Sequence, residues 1–170
     1  MAVFLLIITL VLAVANDLRF HKIPNWLTYP AMACGVFLHT ATGGIEGFLF
    51  GIAGIGVGIG VLIVPYAMGG MGAGDAKLMG AVGSLLGPKS VFVAFLFTAM
   101  IGGIYAFFLL ILRGFFTKTL GRYAATLKTF VCTKQFIYIP PSKDKNRPKL
   151  YYGVAIALGT LASVIWHKGI

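Results

Sequence analysis

The chain has 170 residues, of which 59% are hydrophobic and only 11% charged, with a mean hydropathy of +0.94. A soluble domain carries about 25% charged residues, so this composition excludes a soluble globular protein and indicates a polytopic membrane protein. The net charge of +10 does not point to nucleic acid, because no basic stripe with interleaved stacking aromatics stands outside the apolar segments; it reads as topology information and as attraction to anionic lipid headgroups.

The first apolar segment runs from Met1 to about Ala15, interrupted only by Thr9. No positive charge precedes it, as the leading region of a secretory signal peptide requires, so it reads as a membrane segment that is short for a crossing. A second segment, roughly Trp26 to Thr40, is entered through Pro24 and ends at His39 and the turn-prone pair Gly43-Gly44. The third, about Ile45 to Pro65, carries Gly51, Gly54, Gly56, Gly58 and Gly60, a spacing that predicts close helix packing. A loop from Tyr66 to Asp75 leads to a short fourth segment, Ala76 to Leu86, stopped by Gly87-Pro88-Lys89. The fifth, Ser90 to Leu112, is long enough to cross with some tilt.

Residues Arg113 to Leu150 hold nine of the fourteen basic residues. From Arg113 to Phe136 the apolar positions recur at roughly helical spacing, which predicts an amphipathic helix in the headgroup region. It rests on anionic lipid or helps to dock a substrate. Pro140-Pro141 ends it, and a sixth segment runs from Tyr151 to Trp166. The expected fold is therefore all-α: one membrane-embedded domain over residues 1–170, a bundle of about six transmembrane helices, with residues 112–150 as a basic cytoplasmic insertion.

With six crossings, the loops after the first, third and fifth segments share one side. They carry Arg19, Lys22, Lys77 and the nine basic residues of the insertion, against Lys89 and Lys168 opposite. This asymmetry predicts that both termini face outward and that this basic side faces the cytoplasm. Two of the chain's four acidic residues, Asp17 and Asp75, then come out on the cytoplasmic side at similar depth.

A carboxylate at a membrane boundary is costly and calls for a reason. Taken singly, each has an ordinary one: Asp75 as a helix N-cap, Asp17 as a solvated partner of Arg19. Taken together they allow catalysis. Two carboxylates held close in a poorly solvated site share one proton, so one activates water while the other polarises a carbonyl. Glycines before Asp75 permit unusual backbone conformations and close substrate approach. The two cysteines, Cys34 and Cys132, form no Cys-x-x-Cys pair, and no His/Asp/Glu cluster has metal-ligand spacing, so no metal or other cofactor is expected. Nor is there a Gly-x-Ser-x-Gly or serine–lysine arrangement.

Asp17 followed by Ile23-Pro24, and then Gly72-Ala73-Gly74-Asp75-Ala76-Lys77 two segments later, closely resembles the type IV prepilin peptidase family of membrane aspartic proteases. The resemblance extends over nearly the whole chain and implies that Asp17 and Asp75 are the catalytic pair, with Gly72 and Gly74 in the second motif. It implies a prepilin-like precursor as partner, with a basic leader cut after a glycine and just before a hydrophobic helix. Longer members carry an amino-terminal domain with paired Cys-x-x-Cys motifs and also methylate the new amino terminus; no such pair occurs here, so methyl transfer is not expected. The short form is similar to peptidases of the Flp/Tad pilus systems or of archaeal flagellin-type filaments, with the bacterial inner membrane as the expected location.

The remaining motif residues have more than one reading. Lys77 stabilises an ionised aspartate or a substrate carboxylate, or it snorkels as a topology marker. Arg19 and Lys22 serve orientation first, Pro24 holds Ile23 extended, and Asn25 is expected to cap the second segment. His21 reads as a solvated loop histidine. The rival to a peptidase is a non-enzymatic transporter or pilus-assembly component whose aspartates bind protons or ions. The sequence carries no indication of oligomeric state.

Overall fold

The computed structural model describes residues 1–68, 70–112 and 152–168. They form helices and no strand. In chain order these are α1 (Ala2–Phe20), α2 (Asn25–Ala67), α3 (Ala73–Leu86), α4 (Pro88–Leu112) and α5 (Tyr152–Lys168). The chain divides into two units, residues 1–102 with 151–170, and residues 103–150. The first unit holds the whole of α1, α2, α3 and α5 and the start of α4. The amphipathic stretch expected from Arg113 to Phe136 lies outside the described residues.

Helix α2 is a hairpin. Gly44 adopts φ 57° and ψ −134° inside it, a left-handed backbone that any side chain would strain. The chain reverses there, so that Gly47 lies against the main chain of His39 and Gly51 against Val36. The turn expected at Gly43-Gly44 thus separates two antiparallel arms, 25–43 and 45–67.

Both arms pack on α3. Every residue from Leu78 to Leu85 is buried, so α3 is the core of the unit. Gly35 meets Ser84 and Gly58 meets the Met79 carbonyl. At the closest crossing, Gly54 and Gly83 lie back to back, and a Cβ added to either would overlap the other's carbonyl. Such main-chain proximity is open only to residues without side chains. The glycine spacing of the third segment therefore serves one specific neighbour.

Helix α1 buries Leu6, Thr9, Leu10, Ala13 and Asp17, a stripe at three- and four-residue spacing. Its other faces expose Phe4, Val11 and Leu18, as suits a helix solvated by lipid. Helix α5 closes the unit: Gly159 lies against Thr98 of α4, and the Phe97 and Trp166 rings sit 6.3 Å apart.

Among the described residues, three helical stretches are long and apolar enough to cross a membrane: Ala2–Phe20, the two-armed Asn25–Ala67 and Pro88–Leu109. This supports the all-α membrane class but not the count of six crossings. Helix α3 has 14 residues, or about 21 Å of helix against a hydrocarbon core of about 30 Å. The apolar part of α5, Tyr152–Trp166, is likewise short. A short segment wrapped by protein need not match the bilayer, because its ends are solvated by neighbours.

Packing at the Gly54–Gly83 crossing predicts that Gly83→Ala lowers stability by about 3 kcal/mol, at the upper end of overpacking costs, since main chain cannot yield as a side chain does. Gly60→Ala, where a Cβ meets nothing within 4 Å, is neutral or slightly stabilising. Thermal unfolding in detergent of the two variants checks the contrast.

Candidate active site

Asp17 occupies the position after Ala13 on the buried stripe of α1, one turn before the helix ends at Phe20. The amphipathic register therefore turns its carboxylate inward, and it is only 7% exposed. The helix terminates on His21, which has φ 52° and donates its N–H to the Asp17 carbonyl. Arg19 and Lys22 are exposed, and the Arg19 guanidinium lies 5.3 Å from the centre of the Phe20 ring.

Asp75 lies in the first turn of α3. Gly72 is the N-cap, with extended φ −85° and ψ 153°. Its N–H donates to Asp75 Oδ2 at 3.0 Å, while the Asp75 N–H donates to the Gly72 carbonyl at 3.1 Å. Asp75 thus takes part in the cap from inside the helix rather than standing at the cap position. Burial pushes its carboxyl up to about 6; the Gly72 N–H opposes the rise, and the like charge of Asp17 adds to it.

The two motifs are docked on each other. A Cβ on Gly74 would sit 3.1 Å from Ile23 Cβ and 3.2 Å from its carbonyl oxygen, and Ile23 is buried. Gly74 is itself helical, so its value is the room it leaves for Ile23 and not an unusual backbone, contrary to the expectation for the glycines before Asp75. A second link is polar: Lys77 Nζ donates to Asn25 Oδ1 at 2.9 Å and lies 5.1 Å from the centre of the Tyr29 ring. The Lys77 ammonium is thereby directed to the Ile23–Asn25 motif and not onto either aspartate. The N-cap of α2 is Pro24, at φ −75° and ψ 145°, with no side-chain cap bond. Asn25 is the first helical residue, which corrects its expected capping role: its side chain receives Lys77 instead.

The start of α5 supplies two residues that sequence reasoning missed. The Gly153 N–H donates to Asp17 Oδ2 at 2.9 Å. The Tyr152 phenol is half-buried within electrostatic reach of Asp75. The signal for them was modest: a glycine at the opening of the sixth segment, on the side assigned to both aspartates. Among the described residues, no three His, Cys, Asp or Glu side chains come together to hold a metal. Glu46 is exposed just after the Gly44 turn, and Asp144 lies outside the described residues.

Two buried carboxylates, each bonded to a main-chain N–H and close enough for like-charge repulsion, form an arrangement that can retain one proton between them up to about pH 6.

Residues 4–107 match the type IV leader peptidase family. The chain is also similar to the prepilin leader peptidase/N-methyltransferase of Bacillus subtilis (strain 168), at 31% identity over 101 residues, which cover 56% of this chain and 39% of that protein. The chain thus matches well under half the length of this curated relative. No solved structure matches it. With both aspartate motifs inside the matched region, the chain belongs to the type IV leader peptidase family.

Proposed function

We propose that the protein is a membrane aspartic endopeptidase that removes the short basic leader from prepilin-like precursors, using Asp17 and Asp75 as one catalytic unit. The observation that carries this reading is the docking of the Ile23–Asn25 turn on Gly74 and Lys77, which brings the end of α1 to the start of α3, with both carboxylates buried. The family match and the bacterial relative support the substrate class; methyl transfer, also in that relative's name, is said of that protein.

In the proposed reaction the ionised member of the pair takes a proton from water as the water oxygen bonds to the scissile carbonyl carbon. The protonated member donates to the carbonyl oxygen, giving a neutral tetrahedral diol. Return of a proton to the amide nitrogen lets the carbon–nitrogen bond break, leaving a carboxyl on the leader and a free amine on the mature protein. The shared proton makes the pair the active species, so neither aspartate is assigned a fixed role.

The basic asymmetry supports a site facing the cytoplasm from the inner membrane, with both termini outside. A basic leader is repelled by residues 113–150, so those residues serve lipid attachment in this reading. In this reading residues 1–170 are one peptidase domain, with 112–150 as an insertion.

Co-expression with a precursor bearing a basic leader, a glycine before the cut and an apolar helix tests the proposal. Asp17→Asn and Asp75→Asn should each slow processing at least about a hundredfold, the usual worth of a positioned acid–base group, with protein levels unchanged. Wild-type processing by either variant would overturn the catalytic pair and favour a proton-binding transporter or assembly component. The pH profile has a defined sign. A carboxyl raised to about 6 keeps its proton below that pH and loses it above, so turnover should fall as pH rises through about 6 and beyond. The same raised group makes the folded protein bind protons more tightly than the unfolded chain, so thermal stability should also decline from pH 4 to 7, and Asp75→Asn should flatten that decline. Topology is checked in a Cys34→Ser/Cys132→Ser background: a cysteine placed at Gly72 should resist an impermeant thiol reagent added outside intact cells and react once the membrane is opened.

A further inference from the structure

Asp17 sits at the wrong end of its own helix. It lies in the last turn of α1, where the unpaired carbonyls give the helix terminus a partial negative charge that disfavours a carboxylate. It is also withdrawn from water, at 7% exposure, so its oxygens need donors. The first turn of α5 supplies one. Gly153 is the second residue of that helix, and its N–H, which has no partner within α5, donates to Asp17 Oδ2 at 2.9 Å in a buried contact. The partial positive charge of the α5 N-terminus then offsets the unfavourable end of α1.

The fit is also steric. A Cβ on Gly153 would stand 2.8 Å from Asp17 Oδ2 and 3.1 Å from both Asp17 Cγ and Cβ. These are short, stiff atoms on the end of α1, with little freedom to yield. Any side chain at position 153 must therefore push the carboxylate away or push α5 back.

We propose that Gly153 is a positioning residue for the peptidase reaction, fixing Asp17 through its N–H and through the space left by its missing side chain. This rests on the reading of Asp17 as half of the catalytic pair. Gly153 meets neither the attacking water nor the substrate and acts only through Asp17; it determines where one reacting carboxylate stands relative to the other. A displacement of the order of 1 Å costs catalysis about a hundredfold, whereas recognition of the leader and of the apolar helix, which spreads over many contacts, changes little.

The experiment uses the full chain in membranes or detergent with a purified precursor. Gly153→Ala should lower kcat by about ten- to a hundredfold with KM within about twofold of wild type. A merely structural loss would lower the amount of folded enzyme and leave the kcat of the folded fraction unchanged. A second, activity-free readout is the thermal unfolding cycle of Gly153→Ala, Asp17→Ala and the double variant. Gly153→Ala should lower the unfolding midpoint in the wild-type background and less in the Asp17→Ala background, where Oδ2 and Cγ are gone and only the 3.1 Å contact to Cβ remains. If Gly153→Ala fails to accumulate, recovery of folded protein by the added Asp17→Ala supports the inference, and failure to recover overturns it. Additive shifts in midpoint, or normal kcat in Gly153→Ala while Asp17→Asn is inactive, overturn the positioning role and leave the catalytic pair standing. Normal processing by Asp17→Asn removes the pair itself, and the positioning role with it.

Discussion

A carboxylate taken out of water inside an apolar bundle needs hydrogen-bond donors, and this requirement organises the described structure. Both aspartates find main-chain N–H groups near helix starts, Gly72 at the head of α3 and Gly153 in the first turn of α5. Such donors carry no charge of their own to be neutralised and no side chain to reorient. They hold a carboxylate without fixing it as permanently ionised, as an arginine partner would tend to do.

Meeting the requirement places a demand on the backbone. Three helix ends must converge on one region: the last turn of α1 and the first turns of α3 and α5. Helix α3 can reach there because it is short and wrapped by the α2 hairpin, with Gly54 and Gly83 in main-chain contact. The hairpin in turn depends on the Gly44 reversal. Small residues thus do two jobs. Along the helices they allow close packing, and at the site Gly74 and Gly153 leave the volume that Ile23 and the Asp17 carboxylate fill. The Asn25–Lys77 bond adds a polar tie at the exposed edge, where it costs little to form and excludes Lys77 from the carboxylates.

Much of this was legible along the chain. The apolar segments, the Gly43-Gly44 reversal and the helix start near Asp75 are local features, encoded by hydropathy, turn-forming residues and spacing. The inward aim of Asp17 was implicit in the stripe Leu6, Leu10, Ala13, Asp17. Crossing number was less legible, because length alone does not say whether a helix is surrounded by lipid or, like α3, by protein. The purpose of Gly74 and the destinations of Lys77 and Asn25 were not legible, since each depends on a neighbour outside its own helix; Lys77 and Asn25 are 52 positions apart.

The sequence by itself determined the helical membrane class and the family motifs around Asp17 and Asp75, and it predicted a common side for the two. These follow from composition, charge asymmetry and short-range pattern, which act within a segment or between a segment and the bilayer. Tertiary structure alone decided that the two motifs rest on each other and that Asp17 is held by a main-chain group 136 positions away. Nothing in a glycine marks the partner of its N–H; the partner is set by how helices pack, and packing is a property of the whole bundle.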